Sequence, residues 1–145
     1  MRLLVQRVKH AKVTVEEEVV GEIGVGLLAL LGIRSDDTAD KIPWMVQKLL
    51  KLRIFTDDQG KMNRSVRDIE GNILLVSQFT LYGDCHGGNR PSFTDALGGE
   101  AAEALYNQFV GQLKVELPKA QTGRFGAAME VDLLNHGPVT LLIER

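Results

Sequence analysis

Ile73-Leu74-Leu75-Val76-Ser77-Gln78-Phe79-Thr80-Leu81 is the stretch that decides the fold. Four consecutive aliphatic residues show no helical spacing, and the run is short and closed by polar residues, so it reads as a buried strand. Alternation along that strand puts Ser77, Phe79 and Leu81 on one face and Gln78 and Thr80 on the other. A polar loop from Gly83 to Ser92, holding Gly87, Gly88 and Pro91, follows it. Long loops beside a rigid strand are where function concentrates.

Upstream, Ile69 to Asn72 reads as a turn. Leu52 to Thr56 reads as a short strand closed by Asp57-Asp58-Gln59-Gly60. Ile42, Met45, Val46, Leu49 and Leu50 recur at helical spacing, and Ser35, Asp36, Asp37, Thr38 and Asp40 offer N-caps. Pro43 fits only a first turn, which starts the helix near Asp40. Val19 to Ile33 is apolar and punctuated by glycine, as a strand pair with one buried member would be. Leu3, Val5, Val8, Val13 and Val15 make the opening strands, closed by a charged turn at Glu16 to Glu18.

Downstream, Gly98 to Leu117 reads as a second helix with Ala101, Leu105, Phe109 and Leu113 on one face, ended by Pro118. A strand from Ala128 to Leu134, a tight turn Asn135-His136-Gly137-Pro138 and a strand from Val139 to Ile143 make a hairpin. About seven strands and two helices give an α+β, or mixed α/β, domain: a curved, mostly antiparallel sheet covered by helices. No repeat or linker divides the 145 residues, so residues 1–145 are expected to form one domain.

Composition narrows the function. A hydrophobic share of 44% supports a packed core, and 25% charged residues is ordinary for a globular domain. The longest apolar run, Val25 to Ile33, is too short to span a bilayer. The N-terminal segment does not read as a signal peptide, and one cysteine, Cys85, allows no intrachain disulfide, so the cytoplasm is the expected location. A net charge of −2 argues against a protein that grips long nucleic acid through its phosphates. Any RNA contact is expected to be small, at an end or a single-stranded tail, and DNA is not expected as a partner.

Several apparent sites carry little. Gly24-Val25-Gly26-Leu27-Leu28-Ala29 fits a GxGxxA pattern but leads into an apolar strand rather than a helix, which suits close backbone packing better than a nucleotide. Asp84, Cys85 and His86 are adjacent in one loop without the spacing of a metal site, so no metal is expected. Ser77 lacks a GxSxG elbow, and His10, His86 and His136 are scattered.

Two constellations remain. Ser77-Gln78-Phe79-Thr80-Leu81 places two hydroxyls, an amide and an aromatic where a strand meets a loop; a core strand with satisfied polar groups is the plain alternative. Asn135-His136-Gly137-Pro138-Val139-Thr140 contains a Gly-Pro bond, the kind that adopts cis at modest cost, and a hairpin turn is the plain alternative. Together, SQFTL and NHGPVT resemble the D-aminoacyl-tRNA deacylase family. The segments LLVQRV, GEIGVGLLALLGI, RIFTDDQGKMN, GNRPSF, EALYNQFV and TGRFGA resemble it too, in order along nearly the whole chain.

The resemblance implies a homodimer that hydrolyses the ester of D-aminoacyl-tRNA at its acceptor end, and glycine carried on tRNA as well, with no cofactor. It implies that Gly137 and Pro138 form a cis motif reaching into the partner's pocket, whose floor is Ser77 to Leu81, with Ser77, Gln78, Phe79 and Thr80 as the catalytic residues. A rigid backbone wall there would reject any L-side chain and leave a D-side chain free. Arg7 resembles the family position that holds the partner's Gly-Pro loop; the alternative is a surface arginine on an edge strand. Thr80 is the visible hydroxyl but has no visible base, so the substrate's ribose 2′-hydroxyl is expected to assist water, with the protein supplying positioning and backbone donors. Phe125 and Met129 are candidates for the adenosine pocket, with core packing the alternative, and Arg90 is a candidate phosphate contact. His136 stands where the family often has an acid. Rival readings are a related deacylase with a trans Gly-Pro and a wider pocket for small L-residues, a non-catalytic RNA-end binding module, and a hydrolase of free D-amino-acid esters.

Overall fold

A computed structural model describes residues 1–145. Its strands are β1 (Arg2–Val15), β2 (Glu18–Ile23), β3 (Gly26–Gly32), β4 (Phe55–Thr56), β5 (Met62–Arg64), β6 (Asn72–Ser77), β7 (Gln121–Thr122) and β8 (Glu130–Glu144). Its helices are α1 (Ile42–Lys51) and α2 (Gly99–Glu116), with 3-10 turns at Ala39–Lys41 and Phe79–Tyr82. No helix is long and apolar enough to cross a membrane.

The architecture is the expected curved α+β sheet with two helices on it. The main sheet runs β2-β1-β3-β6-β7, with β8 along the other edge of β1. One edge of β1 is shared: Arg2 to Val8 pair with β3, and Ala11 to Val15 pair with β2. The β3–β6 and β6–β7 pairs are parallel, and the other pairs of this sheet are antiparallel. Parallel strands covered on both faces read as continuous apolar runs. That explains GLLALLG and NILLV without alternation. Leu27, Ala29, Leu31, Ile73 and Leu75 face the larger core under the helices, while Leu28, Leu74 and Val76 face a smaller core with Val8, Val13 and Ile23.

Gly26 shows why its glycine is fixed. A Cβ there would stand 1.9 Å from the Asn72 carbonyl oxygen of the neighbouring strand. The GxGxxA pattern is therefore close strand packing.

Four expectations change. The extended run through SQFTL ends at Ser77, and the chain then winds into the 3-10 turn, so strand alternation does not order Gln78 to Leu81. The buried face of α2 is Ala102, Tyr106, Phe109 and Leu113, with Ala101 exposed. The face is rotated because Tyr106 buries its ring and donates its hydroxyl to the Leu75 carbonyl at 3.2 Å. The strand expected over Leu52 to Thr56 is only Phe55–Thr56.

The fourth change is the largest. There is no hairpin at Asn135-His136-Gly137-Pro138. Glu130 to Glu144 is one strand, and both halves pair with β1. Register runs from Gln6↔Thr140 to Val8↔Asn135, so the residues between are extruded as a bulge. Asn135 secures its base: its side-chain amide donates to the carbonyls of Arg7 at 3.0 Å and Val139 at 3.1 Å. A turn sequence can mark a bulge as well as a reversal, because both need backbone groups that leave the ladder.

Candidate active site

A cavity of about 580 Å³ opens where the parallel strands β3 and β6 end. The C-terminal ends of parallel strands leave such crevices because the chain diverges there into different connections. Ser77, Gln78 and Phe79 form one side, and the start of α2 at Gly98, Gly99 and Ala102 forms another. The segment after β7 closes it with Phe125 and Met129.

The turn after Ser77 is set by backbone bonding. The Gln78 N–H donates to the Leu31 carbonyl at 2.7 Å, and the Leu81 N–H closes back on the Gln78 carbonyl at 3.3 Å. Leading N–H groups of a helical turn have no partner within the turn. Phe79 and Thr80 occupy those leading positions, and Phe79 also lines the cavity. The first turn of α2 likewise begins at Gly98 without a side-chain cap.

Seventeen residues line the cavity, and none carries a side chain that titrates. No carboxylate, imidazole, thiol or amine is therefore available from this wall as a base or nucleophile. What the wall offers is an apolar surface with the Ser77 hydroxyl, the Gln78 amide and backbone donors. Electrostatic stabilisation by preorganised donors in a dry site is the chemistry such a wall can perform.

The expected residues distribute as follows. Ser77, Gln78 and Phe79 line the cavity, as do Phe125 and Met129. Thr80 does not: it is exposed, and its hydroxyl accepts from the Gln78 amide. Arg90 is exposed on the loop and away from the lining. Phe93 was not anticipated. It packs edge-on to Phe79, ring centroids 5.2 Å apart at 71°, and so shapes the exposed rim. Gly98 and Gly99 were also missed, because a helix start carries no side-chain signal. The aromatic in GNRPSF was the available hint.

The Gly137–Pro138 bulge does not line its own chain's cavity. Its peptide bond is cis. Arg7 lies beneath it, only 5% exposed on a central strand, so the edge-strand alternative is excluded. Its guanidinium donates to the carbonyls of His136 at 3.1 Å, Gly137 at 3.3 Å and Ile54 at 2.5 Å. This corrects the expected partner: Arg7 holds the bulge of its own chain, because β1 and β8 are neighbours and the extruded carbonyls fold back over it. The fixed fork of a guanidinium suits several fixed carbonyls. His136 is exposed on the bulge. Burial, with Arg7 and Lys9 close by, pushes it below the ordinary histidine range, which favours the neutral ring at neutral pH.

Comparison with known proteins gives one answer. The family model of D-Tyr-tRNA(Tyr) deacylase matches residues 4–144. The chain is 57% identical over 146 residues to the D-aminoacyl-tRNA deacylase of Chloroherpeton thalassium, covering 99% of this chain and 95% of that one. It is 53% identical over 144 residues to the D-aminoacyl-tRNA deacylase of Clostridium acetobutylicum, covering 99% and 97%. A solved structure of a c-Myc DNA unwinding element binding protein superposes with a TM-score of 0.94 at 44% identity, over 100% of this chain and 99% of that one. A structure of a probable eukaryotic D-amino acid tRNA deacylase shares the fold, at a TM-score of 0.85 and 20% identity over 98% and 97%. From residue 4 to residue 144 this chain belongs to the D-Tyr-tRNA(Tyr) deacylase family.

Proposed function

We propose that this protein hydrolyses the ester joining a D-amino acid to the 3′ end of tRNA, releasing free tRNA and the D-amino acid. It is a hydrolase that removes mischarged residues during translation, and we place it in the cytoplasm. The observation that carries the mechanism is the cavity wall without a titrating side chain. Such a wall suits a substrate that brings its own reactive group. The ribose 2′-hydroxyl next to the ester is that group, and it assists attack by water. The bond that breaks is the ester C–O bond, and the leaving ribose oxygen takes up a proton. The backbone N–H groups at Phe79 and Thr80 face the developing oxyanion.

Selection by handedness needs a second wall. The Gly137–Pro138 bulge stands clear of its own cavity and is held from beneath by Arg7. We read it as entering the cavity of a second copy, so that a homodimer carries two composite sites. Backbone held by an arginine cannot repack around an L-side chain, whereas a D-side chain points away from it. Glycine has no side chain to reject, so glycyl esters on tRNA are substrates as well. We read Phe125 and Met129, which line the cavity, as packing against the terminal adenine, and Arg90, exposed on the loop outside that lining, as meeting a phosphate.

The test is hydrolysis of matched D- and L-tyrosyl-tRNA. Loss of the D-ester alone is expected. Loss of neither, from folded protein, would favour a binding module. Loss of both would favour the wider-pocket branch acting on L-residues. The DNA-binding name of one structural relative makes duplex DNA at equal salt the control partner.

A further inference from the structure

A second concavity, of about 400 Å³, lies on the outer face of α1 and shares no residue with the active-site cavity. We propose that it binds backbone phosphates of the acceptor stem of the RNA substrate. The proposal rests on the shared-site reading above and extends it from the reacting 3′ end to the duplex behind it.

Trp44, Gln47, Lys48 and Lys51 line this groove with Leu52 and Arg53. The first four follow helical spacing along one side of α1, opposite the buried Met45, Val46, Leu49 and Leu50. Trp44 is 38% exposed, so the edge of its indole is open to a ligand in the groove. Two cations from different elements meet its ring: Lys48 at 5.6 Å and Arg145 at 5.1 Å.

Charge selects the ligand. Lys48, Lys51, Arg53 and Arg145 form no salt bridge, as is also true of Lys12, Lys61, Arg90 and Lys119, but Lys48, Lys51 and Arg53 converge on one hollow. The acid on the rim, Glu116, is already neutralised: Arg67 pairs with it at 2.5 Å, and Gln47 donates to it at 3.1 Å. Lysines in the last turn also complement the helix dipole. That accounts for Lys48 and Lys51 but not for Arg53 beyond the helix or Arg145 from the end of the chain's last strand. Three unpaired cations lining one hollow, with Arg145 against its indole, make a local anion site with a small footprint in a chain of net charge −2.

Position connects the groove to the reaction. Arg53 adjoins Ile54, whose carbonyl accepts from Arg7 at 2.5 Å. The same guanidinium holds the His136 and Gly137 carbonyls. The groove and the bulge are therefore neighbours on one protomer. A bulge that enters the partner's cavity brings this groove to that cavity's edge. One subunit then cuts the ester while the other supplies both the chiral wall and the phosphate grip.

The experiment compares two substrates on the full-length protein. Lys48→Gln, Lys51→Gln and Arg53→Gln are combined in one variant. All three side chains are exposed, so the fold should persist, and a thermal melt checks it. For D-tyrosyl-tRNA, KM should rise about tenfold or more at unchanged kcat, and the slope of log KM against log salt should fall by about 2 to 3. For a D-tyrosylated CCA trinucleotide, which lacks the stem, neither constant should move. Trp44 is the chain's single tryptophan, so its emission gives a readout independent of turnover. An uncharged acceptor-stem minihelix should shift that emission in the parent protein and leave the variant's emission unshifted. An unchanged KM and salt slope for the tRNA would overturn the proposal, as would equal losses on both substrates. Absence of D-tyrosyl-tRNA hydrolysis by the parent protein would instead strike the reading of the active site, and the minihelix titration still decides the groove.

Discussion

Arg7 Nη2 donates to the carbonyl oxygen of Gly137 at 3.3 Å within a single chain, tying the centre of the first strand to the bulge of the last. Because the same side chain also reaches His136 and Ile54, Arg7→Ala removes three bonds from a site that is 5% exposed. Stability should fall by about 2–4 kcal/mol, the scale of lost charge-assisted bonds in a buried setting. D-ester turnover should fall with it. Arg7→Lys keeps the charge but not the fork, so it should recover only part of the loss. Urea melts and D-tyrosyl-tRNA kinetics on both variants check this; a lysine variant equal to the parent in both would refute the fork argument.

Gly137→Ala separates folding from catalysis. A Cβ built there meets nothing nearer than the Asn135 side-chain oxygen at 4.0 Å. The subunit itself has room, so stability should stay within about 0.5 kcal/mol of the parent. If the bulge packs against substrate in a second copy, the added methyl intrudes there, and D-tyrosyl-tRNA turnover should drop about tenfold or more. Full turnover in the alanine variant would count against a bulge that forms part of the site.

Thr80→Ala tests the absence of a protein nucleophile. The Thr80 hydroxyl is exposed, outside the cavity lining, and engaged only with the Gln78 amide. Turnover should remain within about threefold of the parent, because losing a true nucleophile costs several orders of magnitude. A folded variant with no turnover would restore Thr80 as the attacking group. The matching substrate test is a D-tyrosyl ester on 2′-deoxyadenosine-terminated tRNA, which should be nearly inert.

Asp37 governs acid stability. Its carboxylate, almost wholly buried, accepts from the Met1 ammonium at 2.6 Å and from Lys41 at 2.7 Å, and its second oxygen accepts from the Arg34 N–H. Burial alone would raise its pKa, but those bonds outweigh burial and hold it below the usual 3.8. A depressed acid stabilises the fold above its unfolded pKa and loses that contribution as pH falls through its folded value. The contribution should therefore be complete above about pH 4 and fade below it. Lys41, raised above 10.5 by the same pair, contributes fully below that value and loses it as pH climbs further. Asp37→Asn should cost about 3 kcal/mol at pH 7, since it leaves buried donors facing a neutral amide. Melts from pH 2 to pH 7 should show the gap between parent and variant closing only at the acid end.

The strands and helices that pack by their own side chains were legible in the chain. ILLV, GLLALLG and the spacing of Ile42, Met45, Val46, Leu49 and Leu50 each announce burial, because apolar periodicity is a local property. The rotation of α2 was not legible, since Ala101 and Ala102 look alike until Tyr106 is seen to reach the Leu75 carbonyl. The end of β6 was misread for a similar reason. Ser77 to Leu81 alternates like a strand, but the Gln78 N–H finds its acceptor on β3, and the chain coils beyond it.

By itself, then, the sequence determined the α+β class, the burial of β3 and β6, the two motifs and, through their order along the chain, the family. Tertiary structure decided that NHGP is an extruded bulge in a continuous strand and not a turn, because only pairing with both halves of β1 distinguishes the two. It also decided that Arg7 serves its own chain's bulge and that the cavity wall has no titrating group. Those facts depend on contacts between residues more than a hundred positions apart, such as Arg7 with His136 and Gly137. Local chemistry carries no record of such distances until the chain is folded.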